Sequence, residues 1–193
     1  MAVRVTVGGR LSVGFTNLSL AHDRLYGGVG VGLQEPRIRV TAAPADGVHC
    51  SDAAVEPYLQ TAVETLGVAG ARVTVAERFE RHAGLGSGTQ LALACLVAVA
   101  RAHGLEGDPR ERAPDLGRGG RSGVGVATFE RGGFVVDAGH PTERFTTAPP
   151  ARGAWSVPDP LGRWTLPESW RFVLVTPETE APSGEHEDEK MRT

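Results

Sequence analysis

A chain of 193 residues with 40% apolar and 22% charged residues has a globular composition, and it is long enough to bury one good core or two small ones. The formal charge of −3 gives no electrostatic basis for binding nucleic acid or an anionic membrane surface. Arginine carries nearly all the positive charge, because Lys190 is the single lysine. A lysine Schiff base or phosphate clamp in the body of the chain is therefore excluded, and arginine must bind any phosphate.

The two cysteines, Cys50 and Cys95, form neither a metal-binding nor a disulfide spacing, and we interpret them as small core residues in a reducing compartment. The start of the chain has no signal-peptide pattern, because Arg4 and Arg10 interrupt a short strand-like segment. The apolar run over residues 91–100 is shorter than a membrane span. We therefore expect a cytoplasmic protein without a membrane partner.

Alternating apolar residues in the N-terminal part predict a sheet. Residues 3–7 and residues 11–15 each alternate in this way, and Gly8-Gly9 between them predicts a hairpin turn. Residues 29–33 alternate with glycines, which predicts a strand whose outer face lies close to another backbone or to a ligand. Residues 38–40 continue this sheet.

Two main helices are predicted after these strands. Ser51 can cap a helix whose apolar face extends over residues 55–66, and Pro57 is compatible with its first turn. Residues 73–75 form another strand. Residues 91–100 are rich in Ala and Leu and apolar on every side, which predicts a buried helix.

The second half of the chain is richer in glycine and proline. Residues 108–114 predict one helical turn. Residues 117–129 and residues 134–136 predict a hairpin that turns at Gly132-Gly133. Residues 141–168 predict a long ordered loop.

Two tryptophans in that loop, Trp155 and Trp164, are expected to be buried. Residues 170–176 predict a strand, and the charged residues 178–193 predict a solvated or disordered tail. Taken together, the elements predict an α+β domain with helices on one face of a largely antiparallel sheet.

A glycine-rich loop, residues 82–90, precedes the buried helix. Glycines let a backbone turn tightly, and free amides at a helix N-terminus attract an anion. Ser87 and Thr89 add hydroxyl groups that could donate hydrogen bonds or bind Mg²⁺. The loop lacks the lysine of a Walker P-loop and the spacing of a dinucleotide fingerprint. Phosphate binding and a tight turn that packs the helix on the sheet are both open, and His82 could stabilise the loop or contact a ligand.

A second glycine-rich stretch, residues 117–126, contains Arg118, Arg121 and Ser122. Two arginines beside a hydroxyl can bind a phosphate or diphosphate in a fork geometry. The alternative is a pair of solvent-facing arginines in a turn.

Asp137 and His140 follow the next predicted strand, three residues apart. They could bind Mg²⁺ or transfer a proton near a ligand. The alternative is an aspartate that caps its own turn and a surface histidine.

Three motif blocks resemble one family. Gly84-Leu85-Gly86-Ser87 resembles the loop that wraps the phosphates of ATP in the GHMP kinase superfamily. Its continuation over residues 88–94 resembles one branch, the β-ribofuranosylaminobenzene 5′-phosphate synthases. The segment 117–140 resembles the same branch, as do residues 10–15 with residues 26–31.

The resemblance implies a GHMP-type N-terminal domain over residues 1–177. Residues 178–193 are expected to be the start of a missing C-terminal domain, because superfamily members carry a second α+β domain and bind their ligand between the two. We expect a homodimer, or completion of the site by such a C-terminal domain.

The resemblance also implies roles for individual residues. The expected catalytic residues are Asp137, His140 and Arg121, and the expected Mg²⁺ ligands are Asp137 and Ser87. The residues expected to hold the diphosphate are Gly84, Leu85, Gly86, Ser87, Gly88, Thr89, Gln90, Arg118 and Ser122. The residues expected to contact an aromatic acid are Arg10, Asn17, Asp23 and Tyr26.

The implied activity joins phosphoribosyl diphosphate to 4-aminobenzoate or 4-hydroxybenzoate, with release of CO₂ and pyrophosphate, on the path to methanopterin-type carriers. Two alternatives stay open. One is an ATP-dependent small-molecule kinase, for which the sequence lacks an obvious catalytic aspartate and lysine. The other is a non-catalytic half-protein that binds a phosphorylated ligand or a partner.

Overall fold

The sheet is organised around one long strand, β3 (Gly28–Pro44), in a computed structural model that describes residues 1–81, 83–145 and 150–175. β1 (Val3–Gly14) runs antiparallel to β3 along one of its edges. On the other edge, β5 (Gly70–Glu77) pairs with the second half of β3 and β6 (Phe134–Asp137) pairs with the first half, both antiparallel.

Two further strands extend this sheet, β4 (Gly47–Cys50) parallel to β5 and β8 (Pro160–Trp164) antiparallel to β6. Within the described residues the sheet has six strands, and β4 with β5 is its one parallel pair. A separate ribbon pairs β2 (Arg24–Leu25) with β7 (His140–Pro141), and a 3₁₀ turn at Thr142–Phe145 follows it. The predicted, largely antiparallel sheet is confirmed.

The helices are α1 (Glu56–Leu66), α2 (Ser87–Ala102), α3 (Pro109–Arg112) and α4 (Val124–Arg131). α2 is the centre of the core, and every residue from Gln90 to Ala100 is buried. It packs against β1 and β3 on the sheet side and against α1 and α4 among the helices. A helix that is apolar on all sides needs such complete coverage, so the predicted buried helix and the α+β class are both confirmed.

The starts of the helices differ in detail from the sequence expectations. Ser51 does not cap α1, because its hydroxyl accepts a hydrogen bond from the amide of Val75, whereas Pro57 does lie in the first turn. α2 begins at Ser87, so the last four of the nine residues of the glycine-rich loop are helix. Asp108 caps α3 through the amide of Arg110, and the predicted single turn is confirmed.

The predicted hairpin at Gly8-Gly9 is wrong, because β1 continues through both residues with a bulge between Gly8 and Arg10. Neither glycine adopts the left-handed backbone that a tight hairpin turn requires. Gly8 serves close approach instead, since a Cβ at this position would lie 1.7 Å from the carbonyl oxygen of Leu33.

The predicted hairpin over residues 117–136 is also wrong, because its first arm is the helix α4. Tertiary packing overrides the local strand pattern of this segment, because α4 lies against the glycines of β3. A Cβ on Gly30 would lie 2.7 Å from the side chain of Val124, and one on Gly32 would lie 3.4 Å from Thr128 Cβ. The prediction that this face of the strand lies close to another element is confirmed.

The predicted strand over residues 170–176 is wrong for its described part, residues 170–175, which is irregular. Its apolar composition is typical of a strand, but a strand forms only with a hydrogen-bonding neighbour, and no described strand lies beside it. Val173 is 87% exposed. Trp164 is 53% exposed in β8, against the expectation of burial, and Trp155 is half-buried.

His82, Thr176 and the charged tail 178–193 lie outside the described residues, so the predictions made for them stay predictions. The predicted domain boundary at residue 177 also stays a prediction. Among the described helices, none has the length and apolar character needed to cross a membrane. Cys50 and Cys95 are unpaired, and Cys95 is buried in α2 as expected.

Replacing Gly30 with alanine should destabilise the fold by about 1–3 kcal/mol, because the added methyl group overpacks the contact between β3, β1 and α4. That methyl group would lie 2.5 Å from the carbonyl oxygen of Leu11 and 2.7 Å from Val124 Cγ1. Gly14→Ala is the matched control, since nothing lies within 4 Å of its added methyl group. Urea unfolding of the two variants measures the difference, and equal stabilities would contradict this packing.

Candidate functional site

The glycine-rich loop ends in the first turn of α2. Gly84 and Gly86 have φ angles of +74° and +68°, a backbone conformation that favours glycine. The carbonyl of Leu85 accepts a hydrogen bond from the amide of Arg10 at 2.8 Å, which ties the loop to the bulge in β1. The amides of Ser87 and Gly88 open the helix, where the helix itself supplies no acceptor, so they are available to an anion.

Two arginine side chains lie against this loop. A Cβ added to Gly86 would be 3.1 Å from Arg10 Nε, and one added to Gly88 would be 3.4 Å from a terminal guanidinium nitrogen of Arg118. Glycine at both positions therefore leaves room for a guanidinium group directly beside the loop. Helix amides and two arginines together form a strongly positive surface in a chain whose net charge is −3.

A cavity of about 290 Å³ adjoins the loop on the side of α1. Three arginines line it, Arg81, Arg118 and Arg152, together with Tyr58 and Thr61. No aspartate or glutamate is among its lining residues. The cavity is therefore suited to a negatively charged group.

Arg118 is the central cation of this cavity. Its guanidinium carbon lies 5.7 Å from the centroid of the Tyr58 ring, and that of Arg81 lies 6.0 Å from the same centroid. Burial lowers the pKa of Arg118, and the charges of Arg152 and Arg81 lower it further, while Tyr58 raises it. Arginine nevertheless stays protonated in proteins, so the cavity keeps its charge.

Thr89 and Gln90 hold α4 in place. The side chain of Thr89 packs against Gly125, where a Cβ would lie 3.2 Å from the methyl carbon of Thr89. The amide nitrogen of the Gln90 side chain donates to the carbonyl of Gly125 at 2.9 Å, and Gln90 is buried. These side chains therefore join the two helices, and the backbone amides of both residues donate to the carbonyl of Gly86 at 3.1 Å.

Asp137 lies at the end of β6 and is completely buried. One of its carboxylate oxygens accepts a hydrogen bond from the Ser122 hydroxyl at 2.6 Å, and the other accepts one from the amide of Gly139 at 2.8 Å. The Ser122 oxygen in turn accepts a hydrogen bond from the amide of Val124. The carboxylate thus fixes the start of α4 against the sheet.

His140 follows Asp137 by three residues and is also buried, beside the segment that precedes α4. Its Nε2 donates a hydrogen bond to the carbonyl of Gly119 at 2.8 Å, and its ring packs against Phe145. Burial lowers the pKa of His140, and the charge of Arg144 also lowers it, while the hydrogen bond to Gly119 raises it. Burial therefore favours the neutral imidazole, and its hydrogen bond to Gly119 supports the segment that carries Arg118.

The four residues expected to contact an aromatic acid lie in two separate parts of the structure. Arg10 lies at the phosphate loop, whereas Asn17 and Asp23 line an open recess beside Arg24. The Asn17 side-chain amide donates to the carbonyl of Arg24 at 2.5 Å, which closes the turn between them. Tyr26 has a φ of +65°, and its ring lies 5.2 Å from that of Phe145.

Comparison with known proteins agrees with this architecture. Residues 53–133 match the family model for the GHMP kinases N-terminal domain. Over 184 residues the chain is 39% identical to the β-ribofuranosylphenol 5′-phosphate synthase of Methanothermobacter thermautotrophicus, an alignment that covers 88% of this chain and 56% of the relative. It is 34% identical to the protein of that name from Archaeoglobus fulgidus, which covers 96% of this chain and 60% of the relative.

The chain has the fold of the GHMP kinase N-terminal domain. Among solved structures its fold is similar to that of the phosphomevalonate kinase of Streptococcus pneumoniae, with a TM-score of 0.55, 14% identity, and coverage of 75% of this chain and 50% of that one. The resemblance to the synthase branch, stated above from three motif blocks, is confirmed by the curated relatives. The chain spans a little over half the length of these relatives.

This fold brings the predicted site residues together in two groups. Arg10, Arg118 and the loop from Gly84 to Gly88 form the first group. Ser122, Asp137 and His140 form the second, which adjoins the N-terminal edge because Leu25 pairs with His140 and a Cβ on Gly27 would lie 3.0 Å from the Asp137 carbonyl. The partly buried Arg121 lies on the segment that connects the groups.

Sequence reasoning missed three residues of the cavity, Tyr58, Arg81 and Arg152. Arg81 precedes Gly84 by three residues, so its nearness to the loop motif was an available signal. Tyr58 is on α1 and Arg152 is in the proline-rich loop, and nothing local relates either residue to a phosphate site.

The donor set does not fit a Mg²⁺ site built from Asp137. Both oxygens of that carboxylate already accept hydrogen bonds, and the residue is completely buried. Within the described ranges, no cluster of three or more histidine, cysteine, aspartate or glutamate residues could hold a metal ion. The hydroxyl of Ser87, at the start of α2, is the remaining predicted ligand.

Replacing Gly86 with alanine should weaken pyrophosphate binding about tenfold, because the new methyl group enters the space of the Arg10 guanidinium, and tenfold corresponds to about 1.4 kcal/mol. Gly84→Ala is the matched control, since it also places alanine at positive φ but meets no atom within 4 Å. Calorimetric titration with pyrophosphate measures both variants. Equal losses would attribute the effect to backbone strain instead of Arg10.

His140 should make the fold sensitive to acid. Because its pKa is lower in the folded state than the unfolded value of about 6.5, the unfolded state binds more protons, and stability falls as the pH drops below about 6.5. The slope contributed by this residue is at most about 1.4 kcal/mol per pH unit. Urea unfolding between pH 7.5 and pH 5 should show a shallower slope for His140→Gln, whereas the exposed His22→Gln should match the wild type.

Proposed function

We propose that this chain supplies the phosphoribosyl diphosphate-binding part of an enzyme that transfers a phosphoribosyl group to 4-hydroxybenzoate, with release of CO₂ and pyrophosphate. The observation that carries the proposal is the glycine-rich loop flanked by Arg10 and Arg118, in a chain whose curated relatives are named for synthesis of a ribofuranosylphenol 5′-phosphate. The loop suits a diphosphate, and the relatives' name supports a ribosyl phosphate as the group transferred.

The reaction breaks two bonds and forms one between the substrates. The ring carbon that bears the carboxylate bonds to the anomeric carbon of ribose, as the bond from that carbon to the diphosphate oxygen breaks. The carboxylate then leaves as CO₂, and the electron pair of its bond restores the aromatic ring. Negative charge grows on the departing diphosphate, which the amides of Gly84 to Gly88 and the guanidinium groups of Arg118 and Arg121 would stabilise.

The relatives' name also supports one acceptor over the other. A phenol in the product requires a hydroxyl group on the ring of the acid, so 4-hydroxybenzoate is favoured over 4-aminobenzoate. We assign the acid to the N-terminal edge, where Asn17, Asp23 and Tyr26 are the candidate contacts. We reassign Arg10 from the acid to the diphosphate, because its guanidinium group lies beside Gly86.

Asp137 and His140 act in this proposal as positioning residues. Through Ser122 and Gly119 they hold the segment on which Arg118 and Arg121 approach the diphosphate. Mg²⁺ would be bound mainly by the phosphates of the substrate, as is usual for this ion, with the Ser87 hydroxyl as the protein donor. The ion would neutralise charge on the leaving diphosphate.

The kinase alternative has one observation in its favour, the match of residues 53–133 to a family of kinases. A kinase would bind ATP at the same loop and would need a base for the attacking hydroxyl. The cavity beside the loop has no carboxylate among its lining residues to serve as that base. A homodimer, or a C-terminal domain that completes the cleft, stays part of the proposal, as does a cytoplasmic location.

The test compares substrates in parallel assays of the 193-residue chain with Mg²⁺. Phosphoribosyl diphosphate with carboxyl-labelled 4-hydroxybenzoate should release labelled CO₂ and pyrophosphate in equal amounts, at a higher rate than with 4-aminobenzoate. Arg121→Ala should reduce that rate at least tenfold, because it removes charge stabilisation from the leaving group.

A second pair of measurements separates the alternatives. ADP formation from ATP that depends on a small alcohol would replace the proposal with the kinase. Tight binding of phosphoribosyl diphosphate without product would support the non-catalytic half-protein. Binding of ATP in preference to phosphoribosyl diphosphate would reject the phosphoribosyl proposal.

A further inference from the structure

We infer that the cavity lined by Arg81, Arg118 and Arg152 is a second phosphate subsite, which takes the 5′-phosphate of the phosphoribosyl group while the loop takes the diphosphate. The inference rests on the proposed function and specifies how one substrate is divided between two places. We call this cavity the arginine cavity.

The first argument is charge. Three guanidinium groups converge on the arginine cavity, and its lining residues include no carboxylate. None of these three arginines forms an ion pair with a carboxylate within the described ranges. Bringing like charges together without a counter-charge costs stability, and a bound dianion would remove that cost.

The second argument is an unused hydrogen-bond donor. The Nε atom of Arg118 is buried and has no hydrogen-bond partner. A buried donor left without an acceptor is expensive, and such groups are uncommon in folded proteins. Phosphate oxygens are the acceptors that a guanidinium fork binds best. An anion in the arginine cavity would supply the missing acceptor.

The third argument is size and shape, which favour a phosphate over a nucleoside. The volume of about 290 Å³ lies at the lower end of pockets that hold drug-sized ligands, roughly 300–1,000 Å³. Tyr58, the one aromatic residue among the described lining residues, already has two guanidinium groups near its ring, at 5.7 and 6.0 Å from the centroid. Cation–π contacts therefore occupy the ring on which a base would otherwise stack.

The fourth argument is continuity with the loop. Both the Tyr58 hydroxyl and a terminal nitrogen of Arg118 lie 3.4 Å from the position of a Cβ on Gly88, in the first turn of α2. The arginine cavity and the loop therefore meet at Gly88. Phosphoribosyl diphosphate carries phosphate groups at both ends of one ribose, so a single molecule can occupy both places and gain affinity from the linkage.

The experiment separates the two subsites with ligands that carry only one end of the substrate. The 193-residue chain is titrated by calorimetry with pyrophosphate, ribose 5-phosphate and phosphoribosyl diphosphate. The variants are Arg81→Gln and Arg152→Gln, both at exposed positions, and Arg152→Lys as the conservative change. Arg101→Gln is the matched control, because it removes the same charge at the exposed far end of α2.

Each glutamine variant should bind ribose 5-phosphate about tenfold more weakly, which corresponds to about 1.4 kcal/mol, because it loses one charge-assisted hydrogen bond. Its affinity for pyrophosphate should be nearly unchanged. Arg152→Lys should recover part of that loss, and Arg101→Gln should match the wild type for all three ligands. Gly86→Ala should show the opposite selectivity, with weaker binding of pyrophosphate.

Equal losses for pyrophosphate and ribose 5-phosphate would overturn the inference, because they would indicate one undivided anion site. Unchanged binding of ribose 5-phosphate in both glutamine variants would also overturn it, as would a wild-type chain that binds pyrophosphate but not ribose 5-phosphate. Failure of the proposed function is distinguishable. Selective loss of ribose 5-phosphate binding without any CO₂ release would leave the subsite in place and reject the transfer reaction.

Discussion

The burial of α2 is the constraint on which the rest of the structure depends. Its apolar surface extends around the whole helix, so the sheet must cover one side, and α1 and α4 must cover the others. A helix enclosed in this way leaves only its ends available. Its N-terminal turn therefore becomes the natural place for a ligand, and the glycines of the loop let the chain enter the helix without obstructing that turn.

The close contact between α4 and β3 determines where the positively charged Arg118 lies relative to that turn. Glycines along the first half of β3 let α4 lie directly on the sheet, and the side chain of Gln90 joins α4 to α2. The segment before α4 is then held from the other side by Asp137 and His140. These hydrogen bonds at Ser122 and Gly119 hold the segment that brings Arg118 to the loop. Buried polar side chains thus orient the segment that carries Arg118.

The site is cationic although the protein is acidic, and this local concentration of arginine bears on the chemistry. A diphosphate leaving group needs positive charge that is already in place when its bond to carbon breaks. Under the proposed function, a kinase and a phosphoribosyl-transferring enzyme can share one loop, because ATP and phosphoribosyl diphosphate both carry a diphosphate group. The residues beside the loop, and above all the arginine cavity, are where the two chemistries would differ.

The sequence by itself determined the α+β class, the buried helix α2, the glycine-rich loop before it and the resemblance to the synthase relatives. Each of these depends on local pattern: periodic apolar residues, glycine spacing and a contiguous motif. It misjudged the turn at Gly8-Gly9, the helix α4 and residues 170–175, where the outcome depends on which element packs alongside. It also placed Arg10 at the acceptor and had no means of finding Tyr58 or Arg152. Only the tertiary structure brought those side chains to the loop, because they come from segments far apart in the chain that meet solely through the packing of α1, α2 and α4 on the sheet.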